Sequence, residues 1–423
     1  MIVAVFEDEK WDNLIPMSLM HPTWELRCGT SSLYEKIHSK FNDFRILLFT
    51  RDYLARALNS VNLPINEPDK IDDHTLLLNG RVLMDSRLSA QLKNLPLNTI
   101  GMKGDTVIFA YISERVAKQI SQMLCKPLSQ NLLMNLSREL DNRLSLDWVK
   151  MIDYPWDLIN QNPFSLLDDV PKDGCIKGKV EESVKILGPL SQLTVNEGSV
   201  VEAGSIIDVR KGPVLIDRDV EVQPLSYIKG PCYIGSGTIV YGARITGNCS
   251  IGEVCRVGGE IEDTIIHGYS NKRHHGYIGH SYIGEWVNIG AGATNSNLKN
   301  TYGTVRMKIK DSIIDTNSQF VGCFIGDHAK VGINVSIMAG KKVGIFSHVL
   351  GFVDDDVPPF TIWAKSLGKG AYELFLSSAI DIQRRVFERR GRVQTRRDID
   401  LIEYLFYMTS RDRERCGVMK GTF

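Results

Sequence analysis

The sequence predicts an α/β domain followed by a parallel β-helix of hexapeptide repeats and then C-terminal helices. The first observation is the distribution of glycine: 27 of the 36 glycines lie between residues 171 and 351, and only four lie in the first 170 residues of the 423-residue chain. The second is an aliphatic residue at every sixth position in the glycine-rich region, a period that fits a β-helix coil and not an α-helix. The two regions therefore follow different folding rules.

The first region alternates short apolar runs with helix-like stretches, the pattern of βαβ units around a mainly parallel sheet. The apolar runs are Met1–Phe6, Arg45–Phe49, Leu76–Leu78 and Thr106–Ile112, and the helix-like stretches include Ser31–Phe41 and Asp52–Ser60. Residues 113–168 read as largely helical and would link this region to the next one. We therefore expect an α/β domain with its helical link over residues 1–170.

The second region, expected over residues 171–365, carries aliphatic residues that point into a three-sided coil and stack on their equivalents one turn away. These residues are Ile216, Val222, Ile228, Ile234, Val240, Ile245, Ile251, Val257, Ile325, Val331, Ile337 and Val343. The pattern is interrupted at Glu262–Gly276 and at Thr294–Ser318. Because a coil wall cannot absorb extra residues, we expect both segments to loop out, and such insertions often build a binding face.

The C-terminal extension, residues 366–423, contains two predicted helices, Tyr372–Arg390 and Arg397–Tyr407. Seven arginines crowd one stretch of this extension: Arg384, Arg385, Arg389, Arg390, Arg392, Arg396 and Arg397. A charge run of this kind is usually a solvated face, and phosphate or nucleic-acid binding is the minority interpretation.

The overall composition favours a protein that acts on small molecules. Lysine and arginine total 50, as do aspartate and glutamate, so no sequence-wide charge favours nucleic acid or a membrane surface as a partner. The eight cysteines form no C-x-x-C pair, which favours reduced thiols in a cytoplasmic protein. The N-terminal apolar run meets acidic residues at once, so we expect neither a secretory leader nor an anchor.

Four of the nine histidines lie at or just after the first interruption: His267, His274, His275 and His280. Histidine exchanges a proton near neutral pH, so one at the edge of a cleft can act as a general base. The neighbouring Lys272 and Arg273 could hold an anionic group such as a sugar phosphate. The alternatives are a solvated histidine at 274, a structural one at 275, and a zinc site from the spacing of His275 and His280; we expect no metal here.

The residues around this cluster resemble the acetyltransferase half of the GlmU family, which joins a UDP-N-acetylglucosamine diphosphorylase to a glucosamine-1-phosphate N-acetyltransferase. The resemblance rests on Asn271-Lys272-Arg273-His274-His275-Gly276-Tyr277-Ile278-Gly279, on Ile283-Gly284-Glu285-Trp286-Val287-Asn288-Ile289-Gly290-Ala291-Gly292, and on Asn297. It implies that His274 is the general base. The substrate-binding residues that it implies, together with the basic pair, are Tyr277, Asn288, Asn297, Lys272 and Arg273.

The same resemblance implies a nucleotidyltransferase-like (Rossmann-like) first domain and a left-handed β-helix. It also implies a homotrimer with acetyl-CoA as cosubstrate in the groove between adjacent β-helices, where the backbone N–H near Ala291 is one candidate to stabilise the oxyanion. The basic residue that the family carries on the coil before its general base has no secure match here, and Arg244 or Arg256 could replace it.

The first region departs from typical sugar-1-phosphate nucleotidyltransferases at two motifs. Where those enzymes have a glycine-rich loop that wraps a triphosphate, this chain reads Phe6-Glu7-Asp8-Glu9-Lys10-Trp11-Asp12. Where they carry a Gly-Asp pair that holds the metal, Leu78-Asn79-Gly80-Arg81 ends in arginine. The candidate nucleotide-binding residues are Asp8, Arg27, Gly80 and Arg81, with Mg²⁺ required if the domain is active.

We therefore predict a sugar-phosphate acetyltransferase of GlmU type, acting from acetyl-CoA on an amino-sugar-1-phosphate and joined to a divergent sugar-1-phosphate nucleotidyltransferase domain. In a first alternative, the N-terminal domain transfers a nucleotidyl group from UTP or dTTP to a sugar-1-phosphate, and the β-helix serves only assembly. In a second, the chain is a non-catalytic trimeric scaffold that binds sugar nucleotides. The sequence leaves the sugar, the nucleotide and the acceptor group, amine or hydroxyl, open.

Overall fold

The computed structural model describes residues 1–58 and 62–421, and the chain divides into two units. Unit 1 consists of Met1–Leu14, Met20–Leu26 and Ser31–Asp157. Unit 2 consists of Ile15–Leu19, Arg27–Thr30 and Leu158–Phe423. The domain limits expected at residues 170 and 365 stay predictions.

The helices and strands of the described residues are numbered in chain order. The strands are β1 (Ile2–Phe6), β2 (Arg27–Cys28), β3 (Ser31–Ser32), β4 (Arg45–Leu48), β5 (Thr75–Asn79), β6 (Thr99–Lys103), β7 (Thr106–Ile112), β8 (Asn142–Ser145), β9 (Lys179–Val180), β10 (Lys185–Leu187), β11 (Leu193–Val195), β12 (Val200–Val201), β13 (Ile206–Asp208), β14 (Val214–Ile216), β15 (Glu221–Val222), β16 (Tyr227–Lys229), β17 (Cys232–Ile234), β18 (Ile239–Ile245), β19 (Cys249–Ile251), β20 (Arg256–Glu262), β21 (Ile265–Ile266), β22 (Asn271–Lys272), β23 (Tyr277–Gly279), β24 (Tyr282–Ile283), β25 (Asn288–Ile289), β26 (Thr294–Asn295), β27 (Arg306–Ile309), β28 (Ser312–Asp315), β29 (Phe324–Ile325), β30 (Lys330–Val331), β31 (Ser336–Ile337), β32 (Lys342–Val343), β33 (His348–Val349), β34 (Phe352–Val353), β35 (Thr361–Ala364) and β36 (Gly370–Glu373). The α-helices are α1 (Leu33–Lys40), α2 (Asp52–Ala57), α3 (Ser86–Leu92), α4 (Glu114–Ile120), α5 (Gln130–Glu139), α6 (Pro155–Asp169), α7 (Leu376–Glu388), α8 (Arg396–Met408) and α9 (Ser410–Arg415). Short 3-10 helices span Glu9–Leu14, Met17–Leu19, Thr23–Glu25, Pro68–Lys70, Ser121–Cys125, Leu190–Gln192 and Lys365–Leu367.

Unit 1 is built on a six-stranded sheet in the order β4-β1-β5-β7-β6-β8, counted over the residues that the structure describes. Strands β4, β1 and β5 are parallel, as predicted, but β7 runs antiparallel to both of its neighbours. All four predicted strands are found, each within one residue of its expected ends. Every residue of β1 and β5 is buried, because apolar side chains pack on both faces of the sheet.

The helices of unit 1 follow the predicted pattern with local differences. Helix α1 begins at a capping box formed by Ser32 and Glu35, which satisfies backbone N–H groups of its first turn. Helix α2 ends at Ala57, and residue 60, where the predicted helix ended, lies outside the described residues. The segment 113–168 is largely helical, as predicted, but it also contains β8, which pairs with β6 in the sheet.

Unit 2 contains a parallel β-helix of about 10 turns within the described residues. The predicted hexads are confirmed: all twelve aliphatic residues belong to the buried core, and none is more than 3% exposed. Their stacking is confirmed too, because Ile216 pairs with Ile234 and Ile234 pairs with Ile251 in successive turns. Burial of these columns stabilises the coil by roughly 25 cal/mol per Å² of apolar surface.

The expectation that Glu262–Gly276 loops out is wrong. This segment forms a regular turn, in which β22 pairs with β20 and β21 pairs with β19 and β24. Lys272 stands opposite Val257 in the register, so a lysine fills the inward position that an aliphatic residue fills in the previous turn. The hexads appeared to stop there because that inward residue is polar.

The second interruption does contain an insertion. The wall continues as far as β26, which pairs with β31, and it resumes at β29, which pairs with β24. Between them, β27 and β28 form an antiparallel hairpin. Val305 and Met307 of the inserted segment are buried and lie close to Gly340.

Helix α7 is held to the β-helix by a ladder of aromatic rings at one corner of successive turns. The ladder consists of Tyr269, Trp286, His328, Phe346 and Phe360, all with φ between 52° and 61°. Successive ring centroids lie 4.5, 6.3, 4.5 and 5.0 Å apart. Phe387 of α7 packs 4.6 Å from the ring of Trp286, which fixes the end of the helix beside the coil.

The C-terminal extension has the two predicted helices, found as α7 and α8, followed by the shorter α9. The first helix begins at Leu376 and not at Tyr372, because Tyr372 lies in β36, which pairs with β35. All eight cysteines are free. Among residues 1–58 and 62–421, no helix has both the length and the apolar character that a membrane crossing requires.

Candidate active site on the β-helix

A cavity of about 390 Å³ in unit 2 brings together four of the residues predicted from the sequence. We call it the His274 cavity. Its lining residues are Tyr241, Arg256, Asn271, Arg273, His274, Asn288, Ile289, Gly290, Ala291, Ile333, Arg389 and Arg390. Four of them were candidates from the sequence: His274, Arg273, Asn288 and Ala291. They meet because β22 and β25 are adjacent strands of the wall, with Asn271 opposite Asn288.

The corner that carries His274 is held in place by hydrogen bonds to its backbone carbonyls. Lys272 Nζ donates a hydrogen bond to the carbonyl of His274 at 2.6 Å, and the Gly292 N–H donates to the carbonyl of His275 at 3.0 Å. The Glu260 N–H donates to the carbonyl of Gly276 at 3.0 Å. Three consecutive carbonyls are therefore fixed while the imidazole of His274 stays exposed at the cavity.

Gly276 is required in this corner. Its φ is +122°, and a Cβ at this position would lie 2.2 Å from the carbonyl oxygen of Ala293. Any other residue would therefore push the corner away from the next turn. The glycine keeps His274 close to the turn that carries Ala291.

Lys272 does not line the cavity. Its side chain is 2% exposed and lies inside the coil, where Nζ donates to the carbonyls of Gly258 at 3.1 Å and His274 at 2.6 Å. Burial lowers the pKa of this lysine to about 8. In this structure Lys272 positions the backbone of His274.

The His274 cavity is strongly basic. Arg273 stacks over the ring of Tyr241, with its guanidinium carbon 4.4 Å from the ring centroid. Arg256 is anchored by hydrogen bonds to the carbonyls of Gly237 and Cys255. Of the two arginines considered as replacements for the family's basic residue, Arg256 lines the cavity, whereas Arg244 pairs with Glu260 at 3.3 Å.

Tyr277 and Asn297, also expected to bind substrate, form a separate polar cluster on the next face of the coil. The Tyr277 hydroxyl donates to Glu262 at 2.7 Å and accepts a hydrogen bond of the same length from Asn297. Asn297 also lies 3.0 Å from Nδ1 of His280. Burial, followed by the hydrogen bond to Glu262, raises the pKa of Tyr277.

In unit 1, Asp8, Gly80 and Arg81 come together at the ends of β1 and β5. Arg81 is fully buried and donates to both oxygens of Asp8, at 2.8 and 2.5 Å, and to Asp153 at 2.6 Å. Burial alone would raise the pKa of Asp8, but the charge of Arg81 outweighs it and lowers that pKa. Gly80 packs tightly, since a Cβ there would lie 3.0 Å from Trp24.

This group does not fit a Mg²⁺ site. A magnesium ion needs carboxylate oxygens that are free to face it in octahedral geometry. Both oxygens of Asp8 instead accept hydrogen bonds from Arg81, and Asn79 donates a further bond to one of them. The guanidinium already supplies the positive charge that the carboxylate requires.

Arg27, the fourth candidate for nucleotide binding, belongs to unit 2. It pairs with Glu253 at 2.7 Å and donates to the backbone carbonyls of His267 and Thr30. The structure therefore assigns Arg27 to unit 2 and not to the group around Asp8.

Sequence reasoning missed Arg389 and Arg390 as cavity residues. They belong to a run of arginines for which a solvated face was favoured, and they reach the cavity because Phe387 holds the end of α7 against Trp286. The amphipathic pattern of α7 could have indicated that this helix packs on the β-helix. Its buried residues Ala379, Gln383 and Phe387 recur at every fourth position and so form one face.

Comparisons with known proteins identify one matching family model and several similar proteins. Residues 3–173 match a family model described as sugar nucleotidyl transferase. A bifunctional sugar-1-phosphate nucleotidylyltransferase/acetyltransferase of Sulfurisphaera tokodaii is 31% identical over 153 residues, which cover 33% of this chain and 35% of that protein. A bifunctional protein GlmU of Methanocaldococcus jannaschii is 35% identical over 179 residues, which cover 42% of this chain and 38% of that protein. A solved UDP-N-acetylglucosamine acyltransferase of Francisella novicida is 13% identical with a TM-score of 0.31, covering 58% of this chain and 94% of that one.

The chain thus spans little more than a third of the length of these curated relatives. The resemblance read from the sequence motifs is confirmed to this extent: residues 3–173 match the sugar nucleotidyl transferase family, and the chain is similar to bifunctional GlmU-type nucleotidyltransferase/acetyltransferases.

Proposed function

We propose that the β-helix unit transfers an acetyl group from acetyl-CoA to the amine of an amino-sugar-1-phosphate. The observation that carries this proposal is the convergence of His274, Asn288 and Ala291 on one cavity whose charged lining residues are all basic. Such a cavity suits a substrate that carries both a nucleophile and a phosphate. Arg273 and Arg256 are placed to bind the phosphate, and Asn288 to orient the sugar.

His274 acts as the general base. It takes a proton from the attacking amine as nitrogen bonds to the thioester carbonyl carbon; the carbon–sulfur bond then breaks, and the proton passes to the departing thiolate. General-base catalysis of this kind contributes about 10²–10⁴-fold in rate. No covalent intermediate with the protein is required.

The N–H of Ala291 is a candidate donor to the oxyanion that forms on the carbonyl oxygen. Nothing in the described part of the chain accepts a hydrogen bond from it, although the Ala291 carbonyl accepts one from the Asn334 N–H. One oxyanion donor contributes about 10²–10³ in rate.

The test measures thiol release from acetyl-CoA in the presence of glucosamine-1-phosphate. We expect the His274→Ala variant to lose release by at least about 10²-fold, because the proton then has no acceptor. His275→Ala is the matched control, since His275 is exposed on the same corner without lining the cavity. Equal rates for His274→Ala and the parent, or no release by the parent, would contradict the proposal.

We also propose that the working assembly is a homotrimer in the cytoplasm. Ile333 at the cavity is 72% exposed, and Leu225 on the β-helix is 78% exposed, as expected of apolar side chains that another copy covers. The free cysteines are consistent with a reducing compartment. Light scattering at micromolar protein tests the assembly, and a monomer mass would refute it.

Nucleotidyl transfer by unit 1 is the second candidate function, favoured by the family match over residues 3–173. Incubation with UTP, Mg²⁺ and N-acetylglucosamine-1-phosphate tests it through pyrophosphate release. Because Arg81 occupies both oxygens of Asp8, we expect no release. Binding of UDP-N-acetylglucosamine without either reaction would instead favour the scaffold alternative.

A further inference from the structure

A second cavity, which the proposed reaction does not use, lies next to the His274 cavity. We call it the Lys330 cavity; its volume is about 240 Å³, and its lining residues are Tyr269, Asn271, Trp286, Asn288, Lys330, Val386, Arg389 and Arg390. The two cavities share Asn271, Asn288, Arg389 and Arg390. The two arginines of the C-terminal extension therefore stand where both spaces meet.

Arg390 is half-buried without the carboxylate that normally accompanies such a cation, and Arg389 beside it is exposed. No aspartate or glutamate of the described chain lines either cavity. The Arg389 side chain has no hydrogen-bond or ion-pair partner among the described residues. Arg390 donates from Nη2 to Asn271 at 2.7 Å, but its buried Nε has no acceptor in that part of the chain.

An arginine of α7, the helix that ends at Glu388 just before these two residues, is paired. Arg384 pairs with Glu388 at 2.9 Å and with Asp381 at 3.5 Å, and it lines neither cavity. The acidic residues of this helix are thus used on its outer face, and the arginines at the cavity are left unpaired. The buried Nε of Arg390, which has no acceptor in the described chain, therefore points to a ligand of opposite charge.

The electrostatics at Arg390 lead to the same conclusion. Burial, and after it the charges of Arg256 and Arg389, lower its pKa. Three guanidinium groups thus repel one another around a space that an anion can enter. Guanidinium forks bind phosphate through paired hydrogen bonds, and a dianion would remove most of this repulsion.

We propose that Arg389 and Arg390 of the C-terminal extension, together with Arg256, form a subsite for the dianion of a phosphate monoester. The proposed acyl transfer supplies two candidate ligands for this subsite: the phosphate of the acceptor sugar and the 3′-phosphate of the acyl donor. The choice of these ligands rests on the proposed function. Binding itself does not depend on the reaction. The C-terminal extension is then part of the substrate-binding machinery.

The test measures binding to the full chain at constant ionic strength, by calorimetry and by the rise in melting temperature, with inorganic phosphate as the first probe. We expect Arg389→Gln to weaken phosphate binding by about tenfold or more, since a charged hydrogen-bond donor is lost. Arg385→Gln is the matched control: it makes the same charge change one turn earlier, within α7, at a position that is exposed like Arg389 but lies outside both cavities. We expect this control to bind phosphate as the parent does.

The sources are then separated with glucosamine-1-phosphate against glucosamine, and with coenzyme A against dephospho-coenzyme A. A loss in Arg389→Gln confined to the sugar phosphate assigns the subsite to the acceptor. A loss of binding confined to coenzyme A assigns the subsite to the acyl donor. Either of these two results supports the subsite.

Three results would overturn the proposal: no phosphate binding by the parent, equal weakening by Arg389→Gln and Arg385→Gln, or Arg389-dependent binding of inorganic phosphate with neither organic ligand affected. If the parent released no thiol, the proposed acyl transfer would be refuted, but the phosphate subsite would not. Arg389-dependent phosphate binding would still stand in that case.

Discussion

The replacement of Lys272 by methionine tests the physics of the corner that carries His274. Lys272 is 2% exposed and stands in a column of inward side chains opposite Val257. Methionine keeps the length of the side chain but removes the amine. The change therefore deletes one buried charge and leaves the carbonyls of Gly258 and His274 without their donor.

Two opposing contributions set the magnitude. The pKa of Lys272 is lowered by burial from 10.5 to about 8, which corresponds to about 3 kcal/mol of destabilisation while the amine is protonated. Loss of the donor costs about 1–3 kcal/mol for each carbonyl. At pH 7 the two contributions oppose each other, so we expect a small net change in the free energy of unfolding.

The pH dependence separates the two contributions. Below about pH 8 both folded and unfolded chains hold the proton, so the wild type carries the full penalty. As pH rises from about 8 to 10.5, the folded amine loses its proton while the unfolded amine still keeps it. The wild type therefore gains about 3 kcal/mol relative to Lys272→Met, and the gain is complete above pH 10.5.

The assay is urea unfolding followed by far-ultraviolet circular dichroism between pH 7 and 10.5, with stability expressed as the difference between the two proteins. Lys185→Met is the control, because Lys185 lies on strand β10 with an exposed side chain and should give a difference that does not change with pH. A pH-independent difference for Lys272→Met as well would show that the amine is solvated and would refute the interior placement.

Three further substitutions test the units and the site. Ile234→Asp places a charge at a position that is 0% exposed, so we expect the β-helix not to fold, whereas Ile313→Asp at a 70% exposed position of the inserted hairpin should melt like the parent. Arg81→Met leaves Asp8 buried without its partner and should destabilise unit 1 by about 3–5 kcal/mol in calorimetry; an unchanged transition would contradict the buried pair. His274→Ala should change the melting free energy by less than about 0.5 kcal/mol, because its side chain is exposed; a larger loss would make the residue structural.

The period of the aliphatic residues was sufficient to predict the β-helix, because each turn repeats the same inward positions. Ile283 pairs with Ile325 across the inserted hairpin, so even a separation of 42 positions does not disturb the register of the wall. The same reasoning failed over Glu262–Gly276. Ile261 and Ile266 are both buried but lie five residues apart, and the next inward residue is Lys272. A polar inward residue cannot be told from an outward one by hydropathy alone.

The candidate site was predictable only where it is local in sequence. His274, Asn288 and Ala291 meet because adjacent strands of the wall lie one turn apart, and the motif already contains both turns. Tyr277 belongs to the same motif but begins the next strand, on another face. The contribution of Arg390 depends on how α7 packs more than one hundred residues later, which no local pattern specifies.

The two units differ in how their buried charges are balanced, and this difference bears on which of them reacts with substrate. In unit 1, Asp8 is paired with Arg81, and Glu7 is paired with Arg51 at 3.0 Å. A metal-bound triphosphate would have to break such a pair before it could bind, and breaking a buried pair costs about 3–5 kcal/mol. In unit 2, the half-buried Arg390 pairs with no carboxylate of the described chain, so an anion entering the His274 cavity gains an attraction that no internal carboxylate competes for. The distribution of unpaired charge therefore favours the β-helix as the unit where an anionic substrate binds and reacts.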